Sequence, residues 1–341
     1  MKNDKNKLFF SLVSEFLNIY LLDQLGRSKK TIKSYKDALT LFRRYINEDL
    51  QSSIGKFEFI DCDRDCILNF MEYLKRKGDI DKTRNHHLAV MKSYMKFATI
   101  KDISLQSYAL EVINVQFCKE VETIPPMLTE AGITAILRQP VNNKKGIRNK
   151  TLMILLFDTA TRIDEVLSLV LENIHLTKDN PYIKVLGKGA KERILSLSDG
   201  CVKHLELYLS IYHNSDSPNT NLLFYTIIHD NVNKMSESTV ERFIQIYADI
   251  ARMEVPEIPK HTYCHLFRSY RATQLYQDGV PLDVVSRLLG HENLETTRLY
   301  AKPSKEALKK AINSIEPKTK MSQIKKWKNK EDKLAHFYGI R

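Results

Sequence analysis

Along the first hundred residues, apolar positions recur every three or four places. Leu8, Leu12, Phe16, Ile19 and Tyr20 share one stripe, and Leu39, Phe42 and Ile46 share another, which predicts amphipathic helices. Gly26-Arg27-Ser28 separates them, with Ser28 placed to cap a helix over KKTIKSYKDALTLFRRYI. A third helix is expected over roughly 64–77, ending at Gly78. A fourth is expected over 82–98, where Leu88, Met91 and Met95 make an apolar side and Arg84, Lys92 and Lys96 a basic one. Four or five such helices make a bundle with basic faces.

The stretch FCKEVETIPPM (117–127) has the composition of a linker, because Pro125-Pro126 cannot continue a helix. Leu128-Thr129-Glu130 then opens a new helix. NKTLMILLFDTATRIDEVLSLV reads as a buried helix with a break near Thr159–Thr161. In PYIKVLGK and KERILSLS the apolar residues are Ile183 and Val185, then Ile194, Leu195 and Leu197. Gly187-Lys188-Gly189-Ala190 lies between them, so a hairpin with a loop longer than two residues is expected. From Glu237 onward the pattern is helical again, with Pro281 at a helix start and Gly290 at its end. The fold expected is mainly α with a small β-sheet: a helical bundle over 1–117, a linker over 118–127, an α+β domain over 128–316 and a basic tail over 317–341.

The length of 341 residues suits two domains. With 43% hydrophobic and 28% charged residues, the composition is that of a globular protein. No apolar run approaches the ~20 residues of a membrane span, and the amino terminus lacks a signal-peptide pattern, so a cytoplasmic location is expected. The five cysteines are odd in number and form no Cys-x-x-Cys pair, which points to reduced, packing residues rather than disulfides or a zinc ribbon. Net charge changes the picture more. At +12, with a pI near 9.2, the chain favours a polyanionic partner through counterion release. Residues 317–341 hold eight Lys/Arg against two acids, half of that excess; the ordinary reading of such a run is a solvated tail.

Five short segments carry candidate chemistry, and each is weak alone. Arg162 in TATRIDEV, with Glu165 three residues on, is by itself an ordinary surface ion pair. The apolar run before it implies a partly buried turn, where an arginine needs an anionic partner. Lys188 stands between two glycines at the expected hairpin tip, in a segment that is not a Walker A loop. His265 and Arg268, three apart, share a helix face. His261 and His265 are four apart, but Thr262 occupies the position of the metalloprotease glutamate, and no third metal ligand is apparent. His291 follows Gly290, and Tyr300 is one of 16 tyrosines.

Order and spacing give these residues their meaning. R…GKG…H-x-x-R…LGH-x8-Y assembles two arginines, two histidines, a lysine and a tyrosine, the groups that metal-free phosphodiester cleavage requires. Guanidiniums stabilise a pentacovalent phosphorane. A phenol attacks phosphorus, and a lysine protonates the leaving 5′-oxygen.

The segment HLFRSYRATQLYQDGVPLDVVSRLLGHENLETTRLYAKPS resembles the carboxy-terminal signature of the tyrosine recombinases, the phage-integrase and Xer-type family. The resemblance implies catalytic roles for Arg162, Lys188, His265, Arg268, His291 and the nucleophile Tyr300, with Glu165 in support. Two departures stand out. Phe267 and Ser269 replace residues of the usual H-x-L-R-H, and Thr159-Ala160-Thr161-Arg162 replaces the commoner T-G-L-R. TIKSYKDALTLFRRYI resembles the family's SAM-like core-binding domain, and no arm-binding domain is expected before it. Two transesterifications through a 3′-phosphotyrosine and a Holliday junction are then expected, with no metal, ATP or other cofactor. Partners would be double-stranded DNA bearing a core site and three further copies of the chain in a tetramer. The exchanged segment would be Lys305–Ile315 or the tail, acting on the bacterial nucleoid. Base contacts would come from the helix of Arg84, Lys92 and Lys96. A type IB topoisomerase and a DNA-binding regulator that never cuts are the alternatives.

Overall fold

A computed structural model of the chain describes residues 8–120, 126–187, 191–214, 216–291 and 294–298. It divides into two units, Met1–Ile124 and Pro125–Arg341. The first comprises a short 3-10 turn, Phe9–Leu12, then α1 (Val13–Glu15), a π-helical stretch Phe16–Gln24, α2 (Lys29–Glu48), α3 (Arg64–Arg76), α4 (Asp81–Lys101) and α5 (Gln106–Ile113). Ser28 caps α2 as expected, its Oγ accepting the Thr31 N–H at 3.1 Å. Asp63 does the same for α3 through Cys66 N–H at 2.7 Å. Gly78, with φ +95°, follows the end of α3.

The amino-terminal stripe differs from the expectation. Phe9, Leu12, Phe16, Leu17 and Leu21 are buried, whereas Ile19 is 47% exposed. The i→i+5 bonding of Phe16–Gln24 puts more residues in each turn, which rotates Ile19 off the face that α-helical spacing would bury. The core is aromatic, centred on Phe9. Its ring lies 5.1 Å from Tyr94, 5.2 Å from Phe59 and 5.3 Å from Phe42. The Tyr94 hydroxyl donates to the Phe9 carbonyl, so a polar tip is satisfied inside the packing. Burial of each such ring contributes about 1.5–3 kcal/mol.

In the second unit, Thr129 caps α6 (Glu130–Arg138), and α7 (Lys144–Thr159) forms the buried apolar helix. The break comes where the sequence places it. Ala160 adopts the left-handed conformation, φ +50°, and the short helix α8 (Ile163–Leu167) restarts behind Arg162. β1 (Ile174–His175), β2 (Tyr182–Leu186) and β3 (Glu192–Ser196) make an antiparallel sheet in the order β1-β2-β3. Leu186 pairs with Glu192, and Gly187 N–H bonds Lys191 O at 2.8 Å, which confirms the long-looped hairpin. On β3 the apolar residues do not share one face. Ile194 is 62% exposed, while Leu195 and Leu197 point inward. β-Strand alternation therefore puts Arg193 on the inward side with them.

α9 (Asp199–Tyr212) packs on α7. A second hairpin, β4 (Tyr225–Ile228) and β5 (Asn231–Lys234), was not foreseen. α10 (Glu237–Ala251), α11 (Cys264–Gln277), α12 (Leu282–Leu289) and α13 (Glu295–Arg298) complete the described elements. Leu152, Leu156, Val166, Ile183, Leu205 and Phe267 belong to one core, so α7, α8, α9, α11 and the sheet are held as one body. All five cysteines are unpaired, and four are buried. No described helix is long and apolar enough to cross a membrane.

Candidate active site

The carboxyl end of α12 gathers three guanidiniums. A helix leaves its last carbonyls without intrahelical partners, and its dipole makes that end negative. Here three successive carbonyls are each met by a different arginine. Leu288 O accepts Arg193 Nε at 3.1 Å, Leu289 O accepts Arg268 Nη2 at 2.7 Å and Gly290 O accepts Arg162 Nη2 at 3.3 Å. Gly290 ends the helix in the left-handed region, φ +64°, and His291 N–H closes back on Ser286 O at 3.0 Å. That turn delivers the His291 side chain to the same cluster.

Arg268, one helical turn after His265 on α11, is 1% exposed. Its Nη1 donates to Ala160 O at 2.7 Å. The left-handed residue between α7 and α8 thus aims a carbonyl at the guanidinium. Arg268 Nη2 also reaches His291 Nε2 at 2.9 Å, and His291 Nδ1 lies 2.8 Å from Thr297 Oγ1. Thr297, on α13, is fully buried.

Arg162 is held from below by Glu165. The carboxylate accepts the Arg162 backbone N–H at 2.9 Å and Nη1 at 3.1 Å. It also accepts both terminal nitrogens of Arg193, at 3.1 and 2.7 Å. Burial pushes the Glu165 carboxyl up, but the Arg193 bonds, the Arg162 N–H and the two positive charges outweigh it and hold the group below the usual range. Glu165 is therefore ionised at neutral pH. The Arg162 side chain keeps 41% of its exposure, so the guanidinium is braced on one side and open to an incoming anion on the other.

His291 is pushed down to about 4, by desolvation first and then by Arg268, Arg162, His265 and Arg193. His265 is lowered by desolvation first and then by Arg268 and Arg162. Both imidazoles are neutral at pH 7. The cluster is a cationic, donor-rich surface suited to a phosphate whose charge rises during reaction. Among the described residues, no three His, Cys, Asp or Glu side chains gather as a metal site.

Arg162, His265, Arg268, His291 and Glu165 thus come together from α8, α11 and the turn after α12. Lys188 and Tyr300 lie outside the described residues, as do Lys305–Ile315 and the tail. Arg193 and Thr297 were missed, although Arg193 shares strand parity with Leu195 and Leu197. The three basic residues expected to read DNA differ in their surroundings. Arg84 is 9% exposed and bonds Met71 O at 3.1 Å and Asp81 at 2.7 Å. Lys92 donates to Val115 O and sits 4.3 Å from the Phe117 ring centroid. Both are engaged inside their own unit, and Lys96 alone of the three is exposed.

Residues 126–307 match the family described as "Phage integrase family", and residues 13–101 match "Phage integrase, N-terminal SAM-like domain". The chain is 26% identical over 310 residues to the tyrosine recombinase XerD of Oceanobacillus iheyensis, covering 90% of this chain and 98% of that protein. It is 27% identical over 314 residues to the Staphylococcus aureus XerD, covering 90% and 99%. Among solved structures, its fold is similar to the Tn1549 transposon integrase in complex with a circular intermediate DNA (TM-score 0.66, 15% identity, 91% of this chain and 100% of that one). It is also similar to XerH recombinase bound to difH substrate (TM-score 0.63, 20% identity, 82% and 78%).

Proposed function

The chain belongs to the phage integrase family and is a site-specific tyrosine recombinase, and from that premise we propose that Tyr300 cuts DNA by attacking a phosphate clamped between Arg162 and Arg268. The observation that carries this reading is the meeting of both arginines with His291 at the end of α12, nine residues before Tyr300. Arg162 and Arg268 bind the non-bridging oxygens and stabilise the phosphorane as its charge grows. His265, neutral and beside Arg268 on α11, is suited to accept the phenol proton. Lys188 protonates the departing 5′-oxygen. The product is a 3′-phosphotyrosine, whose ester conserves the energy of the broken bond. A 5′-hydroxyl from a second duplex reverses it, giving a Holliday junction that a second round resolves. Four copies act on two duplexes in the bacterial cytoplasm, each lending its carboxy-terminal segment to a neighbour.

The test uses duplexes built from the repeats that flank the gene, nicked so that the cleaved fragment is lost. Wild-type protein becomes covalently joined to DNA, and Tyr300→Phe does not. Strand exchange between two labelled duplexes, rather than relaxation of one supercoiled circle, identifies recombination. An adduct formed equally by Tyr300→Phe removes the assignment of the nucleophile.

A further inference from the structure

We propose that Arg193 is a positioning residue for the cleavage reaction, holding Arg162 and the α12 carboxyl end in register. The inference rests on the recombinase reading of the site. On the inward side of β3, Arg193 has 14% of its side chain exposed. Its three donors do three things. Nη1 and Nη2 grip the two oxygens of Glu165, at 3.1 and 2.7 Å, and Nε holds Leu288 O at 3.1 Å. Glu165 passes the constraint to the backbone and side chain of Arg162. The Leu288 carbonyl passes it to the next two, which bind Arg268 and Arg162. A single planar fork therefore fixes both arginines of the clamp relative to each other without facing the phosphate.

Two glycines make room for it. A Cβ on Gly187 would lie 3.2 Å from Arg193 Nη1, and one on Gly290 would lie 3.0 Å from Nη1 and 3.2 Å from Cζ. The guanidinium thus lies against the end of β2 on one side and the end of α12 on the other. Lysine cannot substitute for this geometry, since its ammonium keeps the charge but lacks a rigid fork able to serve a carboxylate and a carbonyl together.

The experiment measures single-turnover covalent capture on the nicked duplex, the Kd for uncut DNA and thermal stability, for Arg193→Gln and Arg193→Lys. Misplacing a reacting group by an ångström costs on the order of 100-fold in rate. A loss of that order is expected for Arg193→Gln with Kd unchanged, and Arg193→Lys should recover little of it. In an Arg162→Lys background, Arg193→Gln should cost far less than it does alone, because both substitutions disable one unit. Wild-type capture by folded Arg193→Lys, or fully additive losses, would overturn the proposal; should Arg193→Gln not fold, Arg193→Lys decides. A readout independent of cleavage separates this claim from the recombinase reading. The Arg162 guanidinium protons should give separate NMR resonances in the wild type and an averaged one in either Arg193 variant. Wild-type protein that captures no DNA defeats the reading of the reaction, whereas Arg162 resonances unchanged by Arg193 substitution defeat the positioning role.

Discussion

Arg268 Nη2 stands 2.9 Å from His291 Nε2, and this contact sets the protonation of the histidine. A guanidinium only donates, so Nε2 accepts. The neutral ring then carries its proton on Nδ1 and donates it to Thr297 Oγ1, 2.8 Å away. Protonating Nε2 would put two donors face to face inside a cluster of three arginines. Burial first, and then the charges of Arg268 and its neighbours, depress the His291 pKa from 6.5 to about 4.

Stability should follow that shift. As pH falls through 6.5 the unfolded chain binds a proton at His291, and the folded chain does not until about 4. The unfolded state is favoured progressively across this window. Urea denaturation should therefore show stability declining from pH 7 to pH 4, with a smaller slope in His291→Gln. An NMR titration should find His291 neutral, as the Nδ1–H tautomer, at pH 6.

Glu165→Gln removes the charge that holds Arg162 and Arg193. With only 6% of the Glu165 side chain exposed, the loss should be about 3 kcal/mol, the low end for breaking a buried ion pair by removing one partner. Covalent capture should fall along with stability, and a urea titration beside a capture assay checks both.

Ala160 occupies a left-handed position, φ +50°, with its carbonyl on Arg268 and its methyl group buried against Ala272, Val285 and Leu289. The family's commoner glycine at this place accounts for the backbone shape without the strain. A β-branched residue deepens it, so Ala160→Val should cost about 2 kcal/mol and lower the melting temperature. Its cleavage rate should also drop, because the carbonyl orients Arg268.

Arg84 and Lys96 should separate cleanly. Arg84→Ala loses a buried bond to Met71 O and the Asp81 pair, for about 2 kcal/mol of stability. Lys96→Ala should stay within about 0.5 kcal/mol of the wild type. If Lys96 meets a phosphate, the slope of log K against log salt should fall by about 0.9. Binding isotherms at several salt concentrations read this directly.

Much of the fold is legible because its signals are local. Ser28 and Thr129 mark helix starts by side-chain capping, Pro281 by its fixed φ and Gly290 by backbone freedom, and each stands at an observed end. Tertiary context decides the rest. The π-helical stretch carries apolar residues that fit α-helical spacing equally well, so Ile19 looked buried. The β4–β5 hairpin escapes because Ile227, Ile228 and Val232 are all more than half exposed, leaving no alternation to read. The basic face of α4 is visible in sequence, but that Asp81 and the Met71 carbonyl engage Arg84 is not. In the site, Arg162, Glu165, His265, Arg268 and His291 are legible as a motif. Arg193 is not, since its partners are 28 and 95 residues away and meet it only once β3 and α12 pack.

The most direct test of the account is to identify the amino acid that carries the DNA. Protein trapped on the nicked duplex is digested with nuclease and trypsin, and the modified peptide is sequenced by mass spectrometry. One nucleotide joined through its 3′-phosphate to the Tyr300 hydroxyl is the expected result. A nucleotide on any other residue, or linkage through a 5′-phosphate, would contradict it.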